Sequence, residues 1–161
     1  MTFQVGDKIA HPLHGAGVID SIERRRINGK EREYFVMKIP VGDMRVMIPC
    51  DGCTEIGVRP IMTAGEMDAL FASFSGIEVS MTNNWNKRFR ENMDRIKSGN
   101  LMEVAAVIKG LLLREAERGL STGERKMLMS AKQIILSELV LASECGYEEA
   151  EKRLNACMCG K

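Results

Sequence analysis

The sequence predicts an α+β chain of two domains. A small all-β barrel is expected over residues 1–60, followed by an all-α bundle of five helices over residues 61–161. Two observations predict this division. Apolar residues recur at strand-like spacing up to Pro60 and at helical spacing after it. Turn residues such as Gly, Asn and Asp separate the apolar runs of the first part, whereas helix-capping residues separate those of the second.

The first part contains short apolar runs, each bounded by turn residues. The pair Asn28-Gly29 predicts a type I′ turn, because both central residues of that turn need positive φ, and it joins 19–27 to 31–40 as a hairpin. A further turn is expected at Gly42-Asp43. About five short strands are too few for two stacked sheets, so a small curled barrel of the SH3 or Tudor kind is the simplest arrangement. The expected strands lie near Val5 and Ile9 and over 15–22, 34–39 and 44–48.

The second part carries a capping signal before most of its expected helices. Thr63-x-x-Glu66 and Ser121-x-x-Glu124 have the capping-box pattern, and Asn100-x-x-Glu103 resembles it. Asn83 or Asn84 can cap another helix. Short connections between helices indicate a compact bundle. The helices are expected over 63–76, 84–97, 100–119 and 121–144 and from Tyr147 onward, the last with Ala150, Leu154 and Cys157 on one face.

Composition excludes several classes of protein. Lys and Arg total 23 against 22 Asp and Glu, so the chain lacks the uniform basic coat of a histone-like protein and any nucleic-acid contact must be local. The sequence has no apolar run of the about 18 residues that a membrane span needs and no secretion signal, so we expect a cytoplasmic protein. The common nucleotide-binding, metalloprotease and hydrolase motifs are absent, so we do not expect an enzyme.

Positive charge is concentrated in the helical part. Residues 84–132 carry eleven basic and six acidic side chains, whereas residues 1–60 carry nine and eight. The sole tryptophan, Trp85, begins this basic stretch in the first turn of an expected helix. Its spacing with Phe89 and Ile96 is also that of a core face, so a buried indole is one interpretation. In the other, an exposed indole presents a flat face to a base step while neighbouring cations hold phosphates.

Two groups of cations lie in this stretch, and they meet if the helices pack up and down. A basic run of this kind usually marks no more than a solvated helix face. The sequence has no base-reading motif, so DNA binding by these cations is expected to be salt-dependent and tolerant of sequence. The first group is Lys87, Arg88, Arg90, Arg95 and Lys97; the second is Arg114, Arg118, Arg125 and Lys126, around the turn at 119–121.

Cysteines and histidines give weaker signals. Cys50 and Cys53 form a CxxC pair, but the second pair, Cys157 and Cys159, has CxC spacing, so we expect no structural zinc. A redox role is also not expected, because the CxxC follows a strand rather than opening a helix that would lower a thiol pKa. The odd count of five cysteines indicates reduced thiols. His11 and His14 are expected to form local hydrogen bonds.

Three successive arginines lie on one arm of the predicted hairpin. Strand alternation places Arg24 and Arg26 on one face of the sheet and Arg25 on the other. Charge on an exposed strand often only protects an edge from aggregation. A specific arginine on an edge strand also suits a partner that adds a strand to the sheet.

Three segments resemble one known family. They are FQVGDKIAHPLHGAGVIDSIERRRINGKEREYFVMKI, NNWNKRFRENMDRIKSGN and ERGLSTGERKMLMSAKQIILSEL, and they are similar to the CarD (CdnL-like) bacterial transcription regulators. The resemblance covers essentially the whole chain. It implies a Tudor-like barrel that docks on the β subunit of RNA polymerase and a helical domain that contacts promoter DNA next to the −10 element. A similar barrel occurs in the transcription-repair coupling factor, whose helicase motors are absent here.

The resemblance also implies roles for particular residues. Arg25 falls where the family has a basic contact with polymerase. A second such position falls on Met47, a departure for which Arg45, on the same strand face, is the candidate replacement. Trp85 matches the tryptophan that the family wedges into the minor groove at the upstream edge of the transcription bubble. The basic positions that accompany this tryptophan match Lys87, Arg88, Arg90 and Arg125.

These implications predict a regulator without a cofactor that is tethered to RNA polymerase and stabilises the open promoter complex. Tethering raises the effective concentration of the helical domain at the promoter to about millimolar, so weak contacts suffice. Two alternatives stay open. In one, the chain is a protein–protein adaptor whose basic helix face is only solvated. In the other, the cysteines make it a thiol or zinc sensor.

Overall fold

The structure, a computed structural model, describes residues 3–41 and 44–158 of the 161-residue chain. Within these residues an antiparallel sheet is followed by helices. The strands are β1 (Lys8–His11), β2 (Gly15–Ile27), β3 (Lys30–Ile39), β4 (Met44–Pro49) and β5 (Arg59–Pro60). The α-helices are α1 (Cys53–Ile56), α2 (Ala64–Ala72), α3 (Trp85–Lys97), α4 (Leu101–Arg118), α5 (Thr122–Ser143) and α6 (Tyr147–Met158), and a 3-10 turn (Phe74–Gly76) follows α2.

The strands form one sheet in the order β4-β3-β2-β1-β5. The predicted hairpin between β2 and β3 is confirmed, with φ angles of 54° at Asn28 and 77° at Gly29. A bulge interrupts the pairing of β2 with β3 between Ile19 and Ser21. The order leaves β4 and β5 as the edges of the described strand pairs, so the part of the chain where we expected a small curled barrel is one five-stranded antiparallel sheet. The predicted turn at Gly42-Asp43 lies outside the described residues.

Helix α1 corrects the expectation that residues 1–60 are all-β. Five α-helices follow Pro60 within the described chain, as predicted, and α1 is a sixth. Its four residues are too few for a periodic signal. Gly52 and Gly57 bound it in the left-handed conformation, with φ angles of 78° and 111°, and Cys53 points into the core of the sheet.

Local capping signals position most of the helices. Thr63 accepts a hydrogen bond from the Glu66 amide while the Glu66 carboxylate accepts one from the Thr63 amide, which completes the predicted capping box of α2. Of the two asparagines considered, Asn84 caps α3. The box predicted at Asn100 is wrong in one respect. Asn100 accepts from the Met102 amide rather than from that of Glu103.

Each part of the chain has its own core. Buried residues of β1, β2, β3 and β4 pack together with Phe3, Cys53 and Val58 on one side of the sheet. The helical core is larger and combines buried residues of α2 to α6. Ala150, Leu154 and Met158 bury one face of α6, while Cys157, which we placed on that face, is partly buried against the core. No helix among the residues that the structure describes is long and apolar enough to cross a membrane.

Helix α5 joins the two parts. Near its middle, the Ser137 hydroxyl accepts a hydrogen bond of 2.8 Å from the Ala16 amide of β2. The next residue, Glu138, is 1% exposed and accepts hydrogen bonds of 2.7 and 2.8 Å from the Arg59 guanidinium of β5. The Met62 amide donates a third bond to this carboxylate, at 2.8 Å. These contacts define the junction between the sheet and the helices.

Candidate nucleic-acid interface

Trp85 lies at the surface. It is the first residue of α3, and its side chain is 43% exposed. Its ring stacks on that of Phe89, one turn further along the helix, with centroids 5.1 Å apart and planes 20° from parallel. The indole Nε1 donates a hydrogen bond of 3.2 Å to the Ser121 hydroxyl. The ring is therefore held in one orientation with part of its surface open to solvent.

The first turn of α5 packs against this aromatic pair. Ser121 is the N-cap of α5, and its hydroxyl accepts from the Glu124 amide as well as from Trp85. Gly123 lies against both rings, because a Cβ built there would be 3.6 Å from Phe89 and 3.8 Å from Trp85. The N-terminal ends of α3 and α5 therefore meet, as an up-and-down packing of the two basic groups requires.

Arg88 corrects the predicted set of exposed cations. Its side chain is 1% exposed, and its Nε and Nη2 donate to the Glu124 carboxylate at 2.9 and 3.3 Å. Its Nη1 donates to the backbone carbonyl of Thr82 at 3.1 Å. Three of the five N–H groups have these partners, and the burial of the guanidinium keeps all of it out of reach of a phosphate. Arg88 instead ties α3 to α5 directly behind Trp85.

Glu124 is ionised in this pair. Burial by itself raises the pKa of its carboxyl, but the hydrogen bond and positive charge of Arg88 outweigh that effect. Arg114 and the Ser121 hydroxyl act in the same direction as Arg88, and the pKa lies below its ordinary value. Arg114 is partly buried, and its Nε is buried without a hydrogen-bond partner in the described structure.

The other cations matched to the DNA contact, Lys87, Arg90 and Arg125, are exposed. On α3, Lys87 and Arg90 share the face turned away from α5, because about 100° of rotation per residue places them opposite Trp85 and Arg88. On α5, Arg125 is exposed one turn beyond Ser121. Lys87 lies 4.0 Å from Glu91, a contact that exposed pairs exchange readily with solvent.

The residues matched to the polymerase contact share the outer face of the sheet. Arg25 and Arg45 lie on β2 and β4, and the strand register places both on the face that also carries Met47. Arg25 pairs with Glu23 at 3.1 Å and Arg45 with Asp20 at 3.0 Å, both in exposed positions. Met47 is 38% exposed. The face is therefore mixed in charge with an apolar side chain within it.

The predicted alternation of the three arginines follows from the same register. Arg24 lies opposite Glu33 and pairs with it at 3.7 Å, whereas Arg25 lies opposite Arg32. Strand β2 has neighbours on both sides at Gly15–Val18, where it pairs with β1. The segment that carries the three arginines pairs only with β3.

The CxxC pair lies next to a helix, which we did not expect. Cys53 opens α1, so the CxxC does precede a helix, although one of only four residues. Burial and the charge of Glu33 raise the pKa of Cys50, the opposite of what a reactive thiol needs. Cys159 lies outside the described residues. Within them, the structure brings together no cluster of three or more His, Cys, Asp or Glu side chains that could hold a metal.

The histidines behave as predicted in one respect. The His11 ring accepts a hydrogen bond of 3.1 Å from the Leu13 amide. Its ring centroid lies 4.6 Å from that of His14, and burial together with this neighbour lowers the pKa of His11. His11 is the last residue of β1 and His14 lies in the connection to β2, far along the chain from Trp85.

Sequence reasoning missed three residues of this site. Ser121 and Glu124 are identified by the capping box only as local caps, and nothing in it indicates that they also hold Trp85 and Arg88. Gly123 gives no sequence signal beyond its small size. Its position in the first turn of a helix, where glycine is unfavourable, is the one feature that could have indicated a close contact.

Comparison with known proteins agrees with these observations. The model of the CarD-like/TRCF RID domain, an RNA polymerase-interacting domain, matches residues 3–62. The model of the CarD C-terminal domain matches residues 69–155. The chain is 33% identical over 137 residues to "Putative transcription factor YdeB" of Bacillus subtilis (strain 168), covering 85% of this chain and 90% of that protein.

The fold and these matches define the class: a transcription factor with an RNA polymerase-interacting domain at its N-terminal end, followed by a helical domain. The chain belongs to the CarD family.

Proposed function

We propose that this chain binds the β subunit of RNA polymerase through a domain at 1–60 and contacts promoter DNA next to the −10 element through a domain at 61–161. In this proposal Trp85 enters the minor groove at the upstream edge of the transcription bubble and stabilises the open complex. The observation that carries the proposal is the exposed, oriented ring of Trp85 at the meeting point of α3 and α5.

The Trp85 ring is preorganised for stacking in the absence of DNA. The Phe89 ring supports one face, and the Ser121 hydroxyl satisfies the indole N–H, so little side-chain freedom is lost on binding. An aromatic side chain stacked on a base contributes about 1–3 kcal/mol. That contribution shifts the balance between closed and open promoter DNA only when the contact forms better with the open state.

The distribution of charge suits a ring inserted in a groove. Arg125 lies on α5, and Lys87 and Arg90 lie on α3. The two walls of a minor groove are phosphate backbones, so exposed cations on the two helices that hold the ring can contact phosphates. Such contacts read no sequence. They bind the duplex with an affinity that falls as salt rises.

The outer face of the sheet suits a protein partner. The ion pairs of Arg25 and Arg45 are exposed, and exposed pairs contribute little, so both guanidinium groups can exchange their present partners for carboxylates of polymerase. Met47 provides an apolar contact between them in place of the cation that the family has there. We assign Arg25, Arg45 and Met47 to the polymerase contact on these grounds.

Lifetimes of open promoter complexes challenged with heparin test the DNA role. Wild-type protein lengthens the lifetime, and Trp85→Ala removes an effect of about 5- to 150-fold. Tyr147→Ala is the matched control, because Tyr147 is also an aromatic first residue of a helix and is 44% exposed. Equal lifetimes with Trp85→Ala and wild-type protein, both folded, contradict the proposal.

Capture of the polymerase β subunit by the full-length chain tests the anchor. Arg25→Glu reverses a charge on the outer face and weakens capture. Arg26→Glu makes the same change on the other face and leaves capture unchanged. An adaptor without DNA binding, the alternative, captures the β subunit equally well but shows no salt-dependent binding to a forked promoter duplex.

A further inference from the structure

We infer that Arg59, Ser137 and Glu138 are positioning residues: they lock α5 to the sheet so that Trp85 meets DNA at one distance and angle from the polymerase-docking face. This inference rests on the proposed function, since it concerns how two binding surfaces act together. None of the three residues belongs to either surface.

The lock is made of buried polar contacts that have partners on both sides of the junction. Glu138 accepts three hydrogen bonds, two from Arg59 and one from the Met62 amide. Ser137 satisfies the buried amide of Ala16. Sliding or rotating α5 on the sheet breaks several of these bonds together and leaves a buried carboxylate without partners, which is strongly unfavourable.

The packing around Gly15 makes the same junction close-fitting. A Cβ at Gly15 would overlap the Ser137 hydroxyl and would lie 3.2 Å from both the Gln133 carbonyl oxygen and the Ile134 Cα. Two of these three atoms belong to the backbone of α5, so they cannot move aside unless the helix moves. Close packing of this kind specifies one arrangement rather than a range of them.

Helix α5 transmits this arrangement to the DNA end. Its N-cap, Ser121, holds the Trp85 indole, and Glu124 holds Arg88 of α3. From Ser121 to Glu138 the helix rises about 25 Å. One continuous helix therefore carries both the lock and the support of the ring, whereas the covalent connection from β5 to α2 is only residues 61–63.

Rigid spacing matters because the DNA contact is weak without the tether. A tethered site acts at high effective concentration only when the linkage holds it where its target lies, and motion about the junction spreads the ring over positions that do not reach the DNA. Loosening the lock should shorten the open-complex lifetime without altering either contact surface.

The experiment compares two glycine substitutions in the full-length protein. Gly15→Ala inserts a methyl group between β2 and α5 at a φ of 92°, whereas Gly6→Ala meets nothing within 4 Å at a φ of 96°. Both substitutions place alanine at a similar positive φ, so the contact with α5 is what distinguishes them. Arg59→Ala combined with Glu138→Ala removes the ion pair without leaving one charge buried alone, and thermal melting verifies that each protein is folded.

Four measurements are made on each protein. The distance between labels introduced at the exposed positions Glu55 and Glu117, through unnatural amino acids that avoid the native cysteines, reports on the junction. Capture of polymerase, binding of a forked promoter duplex by the free protein, and the heparin-challenged lifetime report on function. We expect Gly15→Ala and the double variant to shift or broaden the distance and to shorten the lifetime by about fivefold or more. Capture and free duplex binding stay within about twofold of wild type.

The inference is overturned by a shifted or broadened distance with an unchanged lifetime, or by a shortened lifetime with an unchanged distance. An unaltered distance in both variants overturns the lock itself. Failure of the proposed function looks different, because wild-type protein then fails to lengthen the lifetime whatever the distance between labels. Gly6→Ala must match wild type in all four measurements. If Gly6→Ala also shortens the lifetime, the effect of Gly15→Ala comes from backbone strain in the sheet and the inference is overturned.

Discussion

Replacing Arg88 by Ala is expected to lower the free energy of unfolding, because this arginine stabilises the fold and does not contact phosphate. The guanidinium lies behind Trp85, hydrogen-bonded to both oxygens of Glu124 and to the Thr82 carbonyl. Both members of the ion pair are almost fully buried. The substitution therefore removes a buried donor set and leaves a buried carboxylate.

The size of the effect follows from what is left behind. Glu124 loses its main counter-charge in an environment with 2% exposure, and breaking a buried pair by removing one partner costs about 3–5 kcal/mol. For a protein of this length, that loss lowers the melting temperature by about 6–20 °C. Arg90→Ala, two residues further along α3 and exposed, should change the free energy of unfolding by no more than about 0.5 kcal/mol.

Acid titration of stability gives a second measure of the same pair. The folded-state pKa of Glu124 is below its unfolded value, so the pair stabilises the protein fully above the ordinary carboxyl pKa of about 4.3. This contribution disappears as the pH falls through the lower, folded-state pKa. Glu124→Gln is uncharged throughout, so it should be less stable than wild type at neutral pH and approach wild type in acid.

Thermal and urea unfolding followed by circular dichroism are the appropriate assays. Replacing both members, as Arg88→Met with Glu124→Leu, should recover most of the stability, because apolar residues of similar volume substitute well for a buried ion pair. The reasoning is refuted if Arg88→Ala and Arg90→Ala have equal melting temperatures while both reduce the salt dependence of duplex binding. That result would place the Arg88 guanidinium on the DNA.

Three further outcomes are expected. Arg125→Ala should reduce the slope of log K against log salt for forked-duplex binding by about 0.9, the share of one phosphate contact, and an unchanged slope would remove it from the interface. Gly110→Ala places a Cβ against the Met81 side chain and 2.8 Å from the Val79 Cγ1, so unfolding should become easier by about 1–3 kcal/mol, whereas Gly65→Ala, with nothing within 4 Å, should not destabilise. Cys50 should react with a thiol reagent at pH 7.5 more slowly than free cysteine, since its pKa is raised, and a faster rate in mass-spectrometric mapping would contradict this.

Local signals in the sequence predicted the local structure well. The Asn28-Gly29 turn and the capping box at Thr63 form as expected, because their hydrogen bonds and backbone angles involve residues at most three positions apart. The four-residue helix α1 was missed for the opposite reason. It has too few residues to show a period, and the burial of Cys53 against the sheet holds it in place.

The sequence does not show which arginines are buried and which are exposed. Arg88 and Arg90 are adjacent members of one basic run, yet one is buried and the other exposed. Arg88, Asn92 and Ile96 form the buried stripe of α3. This stripe contains an arginine because Glu124, 36 residues away in the chain, provides its counter-charge. Spacing within one helix does not reveal such a partner.

Counting charges along the chain therefore overstates the field that DNA meets. Of the cations between 84 and 132, Arg88 is neutralised internally by Glu124. Lys109 directs its ammonium group to the carbonyls of Phe74, Ser75 and Ile77, at 2.9 to 3.3 Å, where it closes the turn after α2. The exposed cations matched to the DNA contact are then Lys87, Arg90 and Arg125. In the proposed function, a few cations and one ring distinguish open from closed promoter DNA only when binding to polymerase places them at the DNA. The junction at Glu138, about 25 Å along α5 from Ser121, therefore affects how Trp85 meets the DNA.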